Sequence, residues 1–252
     1  MMIDKTADSA ISSRKFKARE IHMHHWGKII VGSCLAVFAF AFLATAGGIH
    51  AAETKKVIVM DAAGGGRDWP ETKKNRSAAQ DIPLAVARYF KEFMNQEKDF
   101  SVILTREQNR DVDEEEKLKL IEKSKPDFFI SLDVNRGFGK ASYGFEIYYP
   151  DYLRDVAKPD KKSDRFQRRN KAQADSLKMA RIIQENLNRL FPRKSRGIRK
   201  ALSSVNQEWV APSVGVAMGF VTNDEDRKKL LSEKTQREIA QALVKSVKAY
   251  YR

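Results

Sequence analysis

The sequence predicts an α/β fold: a three-layer domain with a largely parallel, twisted central sheet flanked by helices. Short continuous apolar runs of strand length recur along the chain, as strands buried on both faces require. Between them lie longer stretches whose apolar residues repeat at helical spacing. Disulfides cannot organise the chain instead, since Cys34 is the only cysteine in 252 residues, and no internal repeat is present.

Taken in order, the expected strands are Lys56 to Asp61, "FSVILT" (Phe100 to Thr105), "DFFISLD" (Asp127 to Asp133), "YGFEIYY" (Tyr143 to Tyr149) and "SVGVAMG" (Ser213 to Gly219). Helices are expected near Ile82 to Met94, Val112 to Lys125 and Ser176 to Phe191, then at Asp224 to Ser232 and Lys234 to Tyr251. Leu177, Ala180, Ile183, Leu187 and Leu190 form one buried stripe, and Ile239, Leu243, Val247 and Tyr250 form another. Residues 151–175 mix charges densely with almost no periodicity, which reads as a charged surface insertion. Arg165, Arg168 and Arg169 within it are candidates for binding a partner.

The first 52 residues read differently. A basic leader with Arg14, Lys15, Lys17, Arg19 and Lys28 precedes the uncharged run "IIVGSCLAVFAFAFLATA", Ile29 to Ala46. This is the pattern of an export signal or a membrane anchor, and Ala44-Thr45-Ala46 offers a cleavage site. If it is not cleaved, 29–46 contacts the membrane. Residues 53–252 are then an exported domain in the periplasm or on the outer face of the cytoplasmic membrane.

That division restricts the chemistry. All four histidines (His22, His24, His25, His50) and the cysteine precede Glu53, so residues 53–252 exclude every His- or Cys-based triad and most catalytic zinc sites. The same region holds 41 Lys or Arg against 30 Asp or Glu, a net charge of +11. A domain this basic is drawn to polyanions. Outside the membrane these are wall polymers, anionic lipid or carboxylate-rich peptides, with no nucleic acid among the expected partners.

In an α/β sheet, ligands gather at the carboxyl ends of the strands. Here those ends read "DAAGGG" (Asp61 to Gly66), "DVN" (Asp133 to Asn135) and "AMGF" (Ala217 to Phe220). The glycine run lacks the Lys-Ser/Thr of a phosphate-binding P-loop and the GxGxxG of a dinucleotide loop. Locally it reads as a strand-to-loop turn or an active-site rim.

Seven pieces in order, "MDAAGGGRD", "QDIPLAVA", "ILTR", "DFFISLDVN", "YGFEIYY", "RGIR" and "APSVGVAMGFVTNDED", resemble the zinc-dependent N-acetylmuramoyl-L-alanine amidases that cut peptidoglycan. The resemblance runs from Lys56 to the C-terminus. It implies that the family's zinc-binding His, Glu and His stand at Gly64, Ala79 and Asp133, and its catalytic Glu at Ala217. The zinc ligands and the catalytic Glu are thus replaced, no zinc is expected, and no residue is assigned a catalytic role. Asn135, Arg196 and Asn223 match retained family positions and, with Asp61, Gly65 and Gly66, are candidate groove residues. Asp61 and Asp68 are expected to brace the glycine loop through its backbone, and Asp133 to bond nearby backbone. An oxygen-only cation site from Asp61, Asp68, Asp133 and Glu146 is a further option.

The expected function is that of a pseudoenzyme of the cell envelope. It binds peptidoglycan or wall peptides, or regulates a wall-processing protein, without cutting. Two alternatives stand beside it: an interaction scaffold with a filled groove, and an active amidase with relocated chemistry.

Overall fold

The computed structural model describes residues 54–64, 73–153, 160–201 and 210–252, with Thr54–Arg252 as one compact unit. The glycine loop from Gly65, Asp68 and the leader with its apolar run lie outside the described residues.

Among the described residues six strands form one sheet: β1 (Lys56–Ala62), β2 (Phe100–Leu104), β3 (Phe128–Asn135), β4 (Phe145–Pro150), β5 (Ser195–Ala201) and β6 (Ser213–Phe220). Their order is β2-β1-β3-β6-β4-β5. The pairings among β2, β1, β3 and β6 are parallel; β4 runs antiparallel to β6, and β5 runs parallel to β4. The described residues form five helices: α1 (Lys73–Met94), α2 (Glu114–Ser124), α3 (Asp164–Leu190), α4 (Asp224–Leu230) and α5 (Glu233–Tyr251).

Strand periodicity decides which residues see which layer. Ile58, Met60, Phe128, Ile130, Leu132, Phe145, Ile147, Val214 and Val216 face the main core, where Phe90 of α1, Ile183 and Leu187 of α3, and Leu243 and Val247 of α5 meet them. On the opposite face Val59 and Phe129 pack with Ile121 of α2, joined by the half-buried Ile103, Leu118 and Leu120. Among the described residues α2 is the one helix on that face, and it sits over the β1 side of the sheet. Among the described residues no helix covers the face of β3, β6 and β4, and a site can form there.

Helix starts follow local chemistry. Asp113 caps α2 by accepting the Glu116 N–H, Ser163 caps α3 by accepting that of Phe166, and Asn223 caps α4 through Glu225 and Asp226. Residues 164–175, expected in a surface insertion, are instead the first turns of α3, with Ala172 buried. Their helix is set by the Ser163 cap and by continuity with the apolar stripe that follows, not by periodicity of their own. The sixth strand, β5, was not expected as a strand: "SRGIRKA" at the sheet edge carries three cations and has no apolar face to announce it. Helix α1 begins nine residues before the expected Ile82 and runs through Pro83, which forfeits one helical hydrogen bond.

Candidate functional site

A cleft of about 300 Å³ lies on the open sheet face. Its floor is made by residues that strand alternation turns away from the core: Asp61, Ser131, Asp133, Asn135, Tyr148, Gly215 and Ala217, with Lys117 of α2 at one wall. Two rows cross the strands in register. Ser131 neighbours Asp61 on β1 and Gly215 on β6, and Gly215 neighbours Tyr148. One step further along, Ala217 stands directly between Asp133 on β3 and Glu146 on β4.

Each carboxylate has a different environment. Asp61 is buried and accepts from Thr105 Oγ1 (2.8 Å), Ser131 Oγ (2.9 Å) and Lys117 Nζ (3.2 Å). Its bonds tie β1 to β3, to α2 and to the residue that follows β2 through side chains; the glycine loop it is expected to brace lies, from Gly65 on, outside the described residues. Buried Arg106 donates to the carbonyls of Ala62 (2.6 Å) and Ala63 (3.3 Å), the last residues before Gly64, and so holds the end of β1. Burial pulls the Arg106 guanidinium below its ordinary value, and the charge of Asp61 opposes this. Gly64 itself has φ 76°, the left-handed conformation that glycine tolerates without cost.

Asp133 accepts the Val134 N–H at 2.7 Å, as expected of a strand-end carboxylate. Burial pushes its carboxyl above the usual aspartate range; the Val134 bond pulls the other way, and the charge of Asp61 adds to the rise. Glu146 is buried too, but it is neutralised. Arg196 Nε (3.1 Å) and Arg199 Nε (3.2 Å) meet Oε1, while Tyr148 (2.6 Å) and Asn135 (3.2 Å) donate to Oε2. Burial alone would raise the Glu146 carboxyl, but the Tyr148 and Arg196 bonds and the two guanidinium charges hold it below the ordinary glutamate range.

The expected groove residues thus separate. Asp61 and Asn135 line the cleft, and Arg196 reaches its edge through Glu146 while its guanidinium covers the Phe220 ring at 5.0 Å. Asn223 is a helix cap whose amide also donates to the Lys140 carbonyl at 2.7 Å. Ala79 lies on α1; Gly65 and Gly66 are outside the described residues. Arg165 and Arg168 are exposed on α3, and Arg169 is half-buried against the Tyr152 carbonyl. The sequence reading missed Thr105, Arg106, Lys117, Tyr148 and Arg199. "ILTR" and "RGIR" already marked two of their segments, but their partners lie far along the chain and are visible only in the fold. Asp61 and Glu146 are committed to these internal partners, and among the described residues no three acidic or sulfur- or imidazole-bearing side chains converge as a metal site would require.

The fold is shared with known proteins. The catalytic domain of CwlV, an N-acetylmuramoyl-L-alanine amidase from Paenibacillus polymyxa, superposes with a TM-score of 0.64 at 23% identity, over 78% of this chain and 98% of that one. The CwlD amidase of Clostridioides difficile, solved in complex with the GerS lipoprotein, gives 0.63 at 24% identity with the same coverages. In sequence, the uncharacterized protein YqiI of Bacillus subtilis is 29% identical over 197 residues, 78% of this chain and 85% of that one. The N-acetylmuramoyl-L-alanine amidase AmiC of Escherichia coli is 22% identical over 77% of this chain, which spans about half of that protein (52%). The N-acetylmuramoyl-L-alanine amidase family model matches residues 58–249, from the first buried residue of β1 to the last turn of α5. With the glycine loop, the strand-end residues and the cleft all inside that match, the chain belongs to the N-acetylmuramoyl-L-alanine amidase family.

Proposed function

We propose that this family member is a non-cleaving protein of the cell envelope that binds peptidoglycan, holding wall peptides in the β3–β6–β4 cleft or presenting itself to a wall-processing partner. The observation that carries the reading is Ala217, flanked in register by Asp133 and Glu146. At the position matching the family's catalytic Glu, a methyl group can neither take nor give a proton.

The residues present also do not fit a catalytic zinc. Gly64 and Ala217 have no donor atom, an alanine stands at 79, and Asp133 is the one matched position with an oxygen to offer. A catalytic zinc needs three protein ligands and an open fourth position. No hydrolytic step is therefore derived through a metal. The cleft keeps volume and polar groups for a ligand, which favours groove binding over a scaffold whose groove is filled. The net charge of +11 on residues 53–252 favours an anionic polymer outside the membrane, and the basic leader with its apolar run supports that location.

Family membership itself favours a second reading, in which the chain is an active amidase with relocated chemistry. Incubation of the full-length chain with purified peptidoglycan separates the readings. Retention on the pelleted wall, no new L-alanine amino termini and no stoichiometric zinc by elemental analysis are expected. Released L-alanine termini would establish the active enzyme, and neither retention nor release would favour the scaffold.

A further inference from the structure

The loop between β3 and β4 holds Phe138 fully exposed, the barest large apolar side chain among the described residues. A floppy loop would fold such a ring back onto the protein, but this loop is held in place. Gly137 N–H donates to Thr222 Oγ1 (3.0 Å), and the Lys140 carbonyl accepts from Asn223 (2.7 Å). Lys140 Nζ pairs with Asp224 (2.8 Å), and Gly144 N–H donates to the buried Asp226 (2.7 Å). Gly139 takes φ 82°, and a Cβ on Gly137 would lie 2.4 Å from that of Ser142, so two glycines are needed to make the tip. Four contacts with the β6–α4 junction thus fix a ring that stands bare in solvent. The loop leaves β3 directly after Asn135, a residue of the cleft floor.

We infer that Phe138 is a preorganised platform for a sugar ring of the wall glycan, on the loop that leaves the floor of the cleft that takes the peptide. The inference rests on the wall-binding reading above. Size selects the occupant. A protein partner needs about 800 Å² of surface on each side, and stable membrane attachment needs more than one inserted side chain. Among the described residues Phe138 has no apolar companion of that extent: the Tyr143 ring of the same loop carries Lys194 Nζ at 4.4 Å, and the one other exposed large apolar residue described is Leu231. One flat ring does match the apolar C–H face of one hexopyranose. The Lys140–Asp224 pair beside it, both partners exposed, supplies a donor and an acceptor for the hydroxyl edge. Fixing the ring in advance removes the ordering cost that a mobile aromatic would pay on binding.

The test uses the full-length chain, Phe138→Ala and Phe138→Trp, with three probes: intact peptidoglycan, peptide-free glycan strands and free stem peptide. The side chain is fully exposed, so all three proteins should share one circular dichroism spectrum. Expected are retention of Phe138→Trp on intact wall and a loss of about tenfold in glycan affinity for Phe138→Ala, with stem-peptide binding unchanged. The indole introduced by Phe138→Trp should shift its emission with glycan strands and not with stem peptide, read as a difference from the parent's three tryptophans. Equal glycan affinity of parent and Phe138→Ala overturns the platform while leaving the wall-binding reading intact. An emission shift of Phe138→Trp with phosphatidylglycerol vesicles and none with glycan also overturns it. A parent chain that is not retained on wall at all defeats the wall-binding reading and this inference with it.

Discussion

Placing a glutamate at residue 217, which the resemblance matches to the family's catalytic Glu, should destabilise the fold, and the register says by how much. Residue 217 lies directly opposite Asp133 on one side and Glu146 on the other. Directly opposed side chains have Cβ atoms roughly 5 Å apart. Two like charges at that distance repel by about 3 kcal/mol at an effective dielectric of about 20. Glu146 is already neutralised by Arg196 and Arg199, so the repulsion falls mainly on Asp133. Ala217→Gln has the same shape without the charge and controls for volume, which the cleft can accept. Urea unfolding followed by circular dichroism at pH 7 should place Ala217→Glu about 2 to 3 kcal/mol below Ala217→Gln. Adding Asp133→Asn should remove most of the gap. The carboxyl of Asp133 is raised by burial, so the folded state holds its proton more tightly than the unfolded state does. Stability therefore falls as pH rises from the ordinary aspartate value through the raised one, and the gap should close in acid. Indistinguishable Ala217→Glu and Ala217→Gln proteins, or a gap that Asp133→Asn leaves untouched, would refute the juxtaposition of the three positions.

Glu146→Gln should cost about 1 to 2 kcal/mol at pH 7, since both arginines are more than a third exposed and their pairing is screened. Because the Glu146 carboxyl is depressed, its stabilisation is present above the unfolded glutamate value of about 4.3 and is lost as pH falls through the folded one; a parent-to-variant difference that persists in acid would contradict this. The quadruple change Gly64→His, Ala79→Glu, Asp133→His, Ala217→Glu should bind zinc measurably by calorimetry, although His at φ 76° carries left-handed strain of about 1 kcal/mol. Equal, negligible zinc binding by this variant, the parent and a variant retaining Gly64, all folded, would mean that the family positions are wrongly matched. Retention on wall should weaken as salt rises, and Arg165→Ser with Arg168→Ser should reduce it further, because both guanidinium groups are exposed; unchanged retention removes α3 from the wall contact.

The parts of this fold legible in the sequence are those whose burial is written locally. Ile58, Ile130 and Val216 sit in continuous apolar runs, and Ile183 and Leu187 fall at helical spacing, so five strands and the core of every helix can be read directly. Edge strand β5 and the first turns of α3 escape because their form is imposed by neighbours: β5 by pairing with β4, and α3 by a cap and a downstream stripe. The site divides similarly. The strand-end positions Asp61, Asp133 and Ala217 could be found from the motif, whereas the Glu146–Arg196–Arg199 cluster depends on β4 lying against both β6 and β5. No local pattern encodes that pairing. Asn223 is the converse case: it matched a groove position, but its side chain is spent on capping and on holding the Lys140 loop.

The placement of β6 sets the order in which the chain can become a domain. This strand is the last to be synthesised, yet it lies between β3 and β4 and joins the parallel half of the sheet to the reversed β4–β5 pair. Until residues 213–220 emerge, the two halves of the sheet share no edge, and the apolar sides of β3 and β4 have no common partner. Completion of the core is therefore a late, long-range event, with the high contact order that slows folding and prolongs the life of an open chain. By this topology the sheet closes only when its keystone strand arrives.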